Sequence, residues 1–390
     1  MKDARQGMIL PGASLGVFGG GQLGRMFAHA AQRMGYRVVV FTEESDSPAS
    51  QVANETVQGD YLDPNAVRTF AEKVDVITLE FENIHLEAVQ RAAEVTIVRP
   101  GVEILAIAQH RLHEKSTLRD LGFPVTPFRE VQTYQEIPAI VEQLGWPLVI
   151  KTAKWGYDGK GQRKVRTLIE ANDAIEILGP EPLIAEKWIP FQAEVSVLVA
   201  RNPSGKVAIY PMFTNTHANH ILDVTSCPAS DELHRIASQT ENIARGIAES
   251  LQLEGLLCVE FFVDAHGDVM VNELAPRPHN SGHLTIEACP TSQFEQQVRA
   301  VCNLPLGDTS LLRPAAMVNL LGDVWGTSQP HFERAFAEPS THLHLYGKRD
   351  ARQGRKMGHI TVLDASAQEA SERAIRTRDA LREDSNQLFR

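Results

Sequence analysis

Over its first hundred residues the chain alternates short β-branched runs with helical patterns, and few architectures accept that rhythm. Extended runs are expected at 14–18, 36–41, 55–58, 74–79 and 95–98, with a helix over 22–34 after the first of them. Asp63 and Pro64 occupy cap and first-turn positions of another helix. Parallel strands need crossover connections, which helices on both faces of the sheet supply. The alternation therefore predicts an α/β unit built on a doubly wound parallel sheet. Pro100-Gly101 breaks the pattern, and a helix follows over 111–121, closed by Gly122.

From about Val125 strands and helices no longer alternate simply. Hairpins are expected over 193–212, turning at Asn202-Pro203-Ser204-Gly205, and over 256–272. Helices are expected at 168–177, 231–250 and 292–301, which makes this stretch α+β. After Leu304-Pro305 comes a β-rich tail with strands near 316–321, 342–346 and 359–362, then a polar helical end. The expected division is 1–110 Rossmann-like, 111–305 central, and 306–390 a small β-rich C-terminal domain; 390 residues suffice for that many cores. A formal net charge of -11 argues against non-specific nucleic-acid or anionic-membrane partners. No segment is long and apolar enough to span a bilayer, and no signal core precedes Gly16. The four cysteines (Cys227, Cys258, Cys289, Cys302) form no CxxC pair, which suits packed free thiols in a reduced, cytoplasmic compartment.

Two carboxylates carry the strongest chemical signal. LLCVEFFVD at 256–264 and VMVNELAPR at 269–277 flank a short polar connection containing Gly267, which reads as a hairpin. If Asp264 faces Val269, then Phe262 faces Val271 and Glu260 faces Glu273. Such partners hold their Cβ atoms roughly 5 Å apart, where like charges repel. A shared hard divalent cation removes the repulsion, and magnesium held this way normally also binds phosphate oxygens. A solvated pair on an exposed face is the plain alternative. Zinc fits poorly, because His279 and His283 have no cysteine or third histidine at suitable spacing.

Gly19, Gly21 and Gly24 fit G-x-G-x-x-G, with Glu43 and Glu44 about twenty residues on, as in a dinucleotide fold. The same glycines can simply report a tight strand-to-helix turn. Lys151 ends an apolar run, and Gly156, Tyr157, Asp158, Gly159, Lys160, Gly161 and Gln162 follow as a flap whose N–H groups can close over phosphates. Glu186, Lys187, Trp188 and Ile189 suggest a strand edge that could read an adenine, with Glu194 placed for ribose hydroxyls. Arg277, His279 and Asn280 crowd the turn after the hairpin. A basic cluster of Lys348, Arg349, Arg352, Arg355 and Lys356 runs against the sign of the whole chain.

In order, these elements resemble the ATP-grasp superfamily. Within it the chain is similar to the ATP-dependent carboxyaminoimidazole ribonucleotide synthetases of purine biosynthesis. The strings that carry the likeness are GGGQLGRM at 19–26, GYDGKGQ at 156–162, NELAPRPHNSGH at 272–283, SQFEQQVRA at 292–300 and GRKMGH at 354–359. The resemblance implies a central ATP-grasp domain and a ligase that joins bicarbonate to aminoimidazole ribonucleotide through carboxyphosphate. It implies that ATP is a substrate held by Arg111, Lys151, the flap, Glu186 to Ile189, Glu194, His217, Asn272 and Glu273. It implies magnesium, with manganese as a substitute, on Glu260 and Glu273, and neither biotin nor NAD. Gln22, Leu23, Glu80, Tyr157, Asp158, Arg277, Lys348 and Arg355 are implied around the ribonucleotide, with Asp158, Lys160, Arg277, His279 and Asn280 at the chemistry. Gln353 stands where a proline is expected before Gly354, so both Lys348 and Arg349 remain candidates for the substrate phosphate. The resemblance also implies a homodimer.

Overall fold

The computed structural model describes residues 7–154, 161–326 and 329–382. The N-terminal sheet is wholly parallel, in the order β3-β2-β1-β4-β5. Its strands are β1 (Ser14–Phe18), β2 (Arg37–Thr42), β3 (Glu55–Gln58), β4 (Val76–Leu79) and β5 (Ile97–Val98). Strand side chains alternate between two cores. Leu15 and Val17 meet Met26 and Phe27 of α1 (Gln22–Arg33) on one face. Phe18 and Ile77 meet Phe70 of α2 (Pro64–Ala71) and Val89 of α3 (Leu86–Val95) on the other. Gly16 is required there, because a Cβ would stand 2.8 Å from the Phe70 ring. Asp63 caps α2 by accepting from the Asn65 amide at 2.9 Å. Val95 closes α3 instead of opening a strand: it lies off the buried stripe of Ala88, Val89 and Ala92 and is 40% exposed.

Helices α4 (Val102–Ala108) and α5 (Arg111–Asp120) lead into an antiparallel four-stranded sheet. It runs β6 (Phe128–Val131), β9 (Leu183–Lys187), β7 (Leu148–Thr152), β8 (Gln162–Val165), backed by α6 (Ile137–Leu144) and α7 (Leu168–Leu178). Of the stretch expected as a strand edge, Glu186 is interior, lying between Phe128 and Val149, while Lys187 ends the strand and Trp188 and Ile189 follow it. Leu183 and Ala185 face one apolar cluster and Ile184 another, so this strand is covered on both faces.

The third sheet has nine strands. These are β10 (Phe191–Arg201), β11 (Val207–Ile209), β12 (Phe213–Ala218), β13 (Ile221–Cys227), β14 (Gly255–Asp264), β15 (Val269–Ala275), β16 (Ala315–Leu321), β17 (Thr341–Leu345) and β18 (Lys356–Leu363). The β-rich C-terminal part does not stand apart as a sheet. Its strands extend the central one through the β13–β16 pairing, because β16 is buried on both faces and needs a neighbour on each side. Helix α8 (Asp231–Ser250) covers one face, and α11 (Ala367–Ala380) packs on the C-terminal strands. Between them α9 (Thr285–Ala288) and α10 (Gln293–Val301) carry the chain across. Phe294 and Val298 of α10 complete the core under α1, which ties the central part to the N-terminal sheet. Burying a phenylalanine is worth about 2–3 kcal/mol.

Candidate active site

The β14–β15 hairpin decides which side chains meet. Its turn closes one residue earlier than the alternation predicts, pairing Phe262 with Met270 and Phe261 with Val271. Asp264 drives the shift: its carboxylate accepts from the amides of His266 and Asp268 at 2.8 and 2.9 Å, and Gly267 takes φ +83°. That slip alone would turn Glu273 onto the core face beside Val259. Asn272 enters as an extra residue in β15, and this bulge restores Glu260 opposite Glu273. Both carboxylates line one cavity of about 850 Å³, a volume suited to a nucleotide-sized ligand.

Their counter-charges come from two directions. Arg111 Nη1 donates to Glu273 at 2.9 Å, and His279 Nε2 lies 2.8 Å from Glu260. Asn272 Oδ1 is buried without a partner. Two facing carboxylates and an unpartnered amide oxygen form a hard oxygen set of the kind magnesium takes.

Helix α5 presents Arg111, Glu114, Lys115 and Leu118 along one face, at helical spacing. Lys115 is fully buried and donates to Thr126 Oγ1 at 2.5 Å and to the Asn272 carbonyl at 3.0 Å. Glu186 sits among cations, 2.9 Å from Lys151 and 3.7 Å from Lys115. Burial pushes its carboxyl up, yet Lys115, Lys151 and Arg111 outweigh that and hold it at about 2. Burial raises Glu114 and lowers Lys115, each partly compensated by the other. Glu114 also accepts from the Leu274 amide at 2.9 Å, fixing the helix to the hairpin. His217 Nδ1 is 2.7 Å from Glu194, and that carboxylate offsets burial to raise the imidazole.

At the N-terminal sheet the glycine turn holds a protein carboxylate. Gly21 and Gly24 donate to Glu80 at 2.5 and 3.0 Å, and Gly19 has φ +115°. The anion that a dinucleotide would bring to this helix N-terminus is already present as Glu80. Burial raises the Glu80 carboxyl against these hydrogen bonds. Next to it Glu82 takes the Arg277 fork through both oxygens, with Nη2 donating at 2.8 Å. Burial alone would raise Glu82, but the guanidinium holds it at about 2. Arg277 Nη1 also donates to the Pro278 carbonyl at 3.1 Å.

Gln22, Leu23, Glu80, Arg111, Lys151, Gln162, Glu186, Lys187, Trp188, Ile189, Glu194, His217, Glu260, Asn272, Glu273, Arg277, His279 and Asn280 all line the cavity. Gly161 closes the β7–β8 turn, its carbonyl accepting from Thr152 at 2.9 Å. Gly156, Tyr157, Asp158, Gly159 and Lys160 lie outside the described residues. Lys348 and Arg355 are not on the cavity wall. Lys348 stands 5.7 Å over the Tyr346 ring within the field of Glu80, whereas Arg349 pairs with Asp46. Burial, then Arg355, lowers the Lys348 ammonium to about 8.

Sequence reasoning missed Glu82, Glu114, Lys115 and Thr126. For Glu114 and Lys115 a signal existed, since both share the inward helical face with Leu118. It also missed Cys258, which the fold brings to Glu260 and His279 although the sequence spacing of the histidines offers no cysteine.

Residues 13–109 match the ribonucleotide synthetase preATP-grasp domain, 116–294 the ATP-grasp domain and 315–373 the phosphoribosylaminoimidazole carboxylase C-terminal domain. The chain is 43% identical over 356 residues to an N5-carboxyaminoimidazole ribonucleotide synthase of Bacillus subtilis, covering 91% of this chain and 93% of that protein. The N5-carboxyaminoimidazole synthetase of Staphylococcus aureus, solved with ADP, superposes with TM-score 0.89 at 36% identity over 96% of this chain and 99% of that one. The N5-carboxyaminoimidazole synthase of Aspergillus clavatus, solved with ADP and 5-aminoimidazole ribonucleotide, gives TM-score 0.87 at 32% identity over 94% and 98%.

Proposed function

The chain belongs to the N5-carboxyaminoimidazole ribonucleotide synthase family of ATP-grasp ligases, and from that premise we propose how its residues divide the reaction. The γ-phosphoryl of ATP passes to bicarbonate, giving carboxyphosphate and ADP. The exocyclic amine of 5-aminoimidazole ribonucleotide then attacks the carboxyl carbon, phosphate leaves, and the amine loses a proton. Phosphoryl transfer asks the protein mainly for positioning and charge neutralisation.

Lys151 and Arg111 supply positive charge, and Glu186 and Glu273 hold those two side chains in place. Glu260, Glu273 and Asn272 Oδ1 would hold magnesium, which when bound neutralises charge on phosphate oxygens. Manganese has the same preference for oxygen donors and would substitute. The Arg277 fork is engaged by Glu82, so Arg277 presents a fixed charge rather than a free clamp to bicarbonate. The ribonucleotide end is proposed toward Glu80 and Gln22, with its phosphate directed beyond the cavity wall to Lys348, which lies in the field of Glu80, and to Arg355.

The observation that carries this reading is the single cavity shared by the Glu260–Glu273 pair, the Lys151–Glu186 pair and Glu80. ADP release, coupled to a reporter enzyme, tests it with 5-aminoimidazole ribonucleotide present or absent and with bicarbonate exchanged for formate. Release should require both the ribonucleotide and bicarbonate. Equal release without either one rejects the assignment.

The domain division at 110/111 and 305/306 brackets the three matched segments, 13–109, 116–294 and 315–373, and is proposed on that basis. No helix among the described residues is long and apolar enough to cross a membrane. A cytoplasmic homodimer is proposed, and a monomer mass by light scattering would reject the dimer.

A further inference from the structure

Cys258 and Glu260 are two residues apart on β14, so their side chains leave the strand on the same face. His279 arrives from the loop after β15 with Nε2 2.8 Å from Glu260. The thiol sulfur, a Glu260 oxygen and a ring nitrogen of His279 all lie within 4.8 Å of one another. No other group of three such donors occurs among the described residues.

We propose that Cys258, Glu260 and His279 bind a thiophilic divalent cation such as Zn²⁺, and that this cation competes with the ligase reaction for Glu260. A sulfur, nitrogen and oxygen set selects zinc over magnesium, which prefers oxygen alone. Zinc sits about 2.3 Å from sulfur and about 2.0 Å from nitrogen, so tetrahedral donors stand roughly 3.5 Å apart. The three donors lie within 4.8 Å of one another, so binding draws them together.

The histidine is already oriented for the task. Its Nδ1 is 2.9 Å from Ser281 Oγ, Ser196 Oγ donates to that hydroxyl at 2.8 Å, and Asn215 Nδ2 donates to Ser196 at 2.9 Å. Thr225 Oγ1 completes the relay by donating to Asn215 Oδ1 at 3.0 Å. All four supporting side chains are buried. A fixed outer partner on one imidazole nitrogen is what aims the other at a metal. Cation binding replaces the His279–Glu260 hydrogen bond, releases the thiol proton to solvent, and leaves a neutral imidazole with its one ring proton on Nδ1, where Ser281 Oγ accepts it.

Binding itself stands apart from the proposed activity, while the inhibition rests on it. Equilibrium dialysis of the full chain against Zn²⁺ in excess Mg²⁺ should give one zinc per chain. Cys258→Ala and the near-isosteric Cys258→Ser should bind at least about a hundredfold more weakly, since losing even an outer-shell partner costs about 10–100-fold. Co²⁺ should produce a thiolate-to-cobalt charge-transfer band in the wild type and in neither variant. Both variants should retain magnesium-dependent ADP release but need at least about tenfold more Zn²⁺ for half-inhibition. Equal Zn²⁺ binding by wild type and variants, or cobalt bound without the band, overturns the site. Dialysis needs no turnover, so a failed ligase assay leaves that result readable.

Discussion

Lys348 should make recognition of the ribonucleotide depend on pH. Burial and the neighbouring Arg355 lower its ammonium to about 8, while Glu80 pulls the other way. A lowered lysine is cationic below that value and neutral above it. About nine-tenths of the side chains are charged near pH 7 and about one-tenth near pH 9. If the charge anchors the substrate phosphate, kcat/KM for the ribonucleotide should fall about tenfold across that interval, because this ratio reports the free enzyme. The same ratio for ATP should show no bend there. Lys348→Arg keeps its charge throughout and should flatten the profile. Arg355→Ala removes a neighbouring cation, so the bend should move to higher pH while KM for the ribonucleotide rises. The measurement is initial ADP release at varied ribonucleotide and saturating ATP and bicarbonate. A flat wild-type profile, or the same bend in Lys348→Arg, would refute the assignment.

Glu273→Gln should lower kcat at least about a hundredfold, the loss typical of a main electrostatic stabiliser; near-normal ADP release would show that the hairpin pair is dispensable. Lys115→Met removes one of the cations around Glu186, leaving Lys151 and the field of Arg111, and should destabilise the protein by about 3 kcal/mol in urea unfolding. A change under about 1 kcal/mol would mean the buried charge is not needed there. Gly21→Ala places a Cβ 2.5 Å from Glu80 Oε1 and should cost about 1–3 kcal/mol of stability. KM for the ribonucleotide should rise with it while KM for ATP stays level; no change in either would mean Glu80 simply swings aside.

Much of the secondary structure was legible because it is written locally. β3 and α8 fall at the bounds that the strand and helix patterns predict, and Asp63-Pro64 marks the start of α2 as its capping chemistry requires. The candidate site was legible where the residue types named in the sequence turn out to line one cavity, as do Glu260, Glu273 and Lys151. It was not legible where the partner comes from a distant segment. Glu82 and Arg277 are 195 residues apart, and neither position alone shows that the guanidinium is already engaged. The interior place of β9 was hidden for the same reason, since pairing on both edges involves residues far away in the chain.

By itself the sequence determined the parallel N-terminal sheet, the hairpin with its two carboxylates, and the family likeness, because period, turn residues and motif strings are short-range properties. Only the tertiary structure decided that Glu273 faces the cavity. Two opposing one-residue shifts, the tight Asp264 turn and the Asn272 bulge, cancel along β15, and strand faces alternate with every residue. The same packing set Lys115 beneath Glu186 and brought Cys258 to His279, since a buried charge or thiol takes its neighbours from the fold and not from its place in the chain.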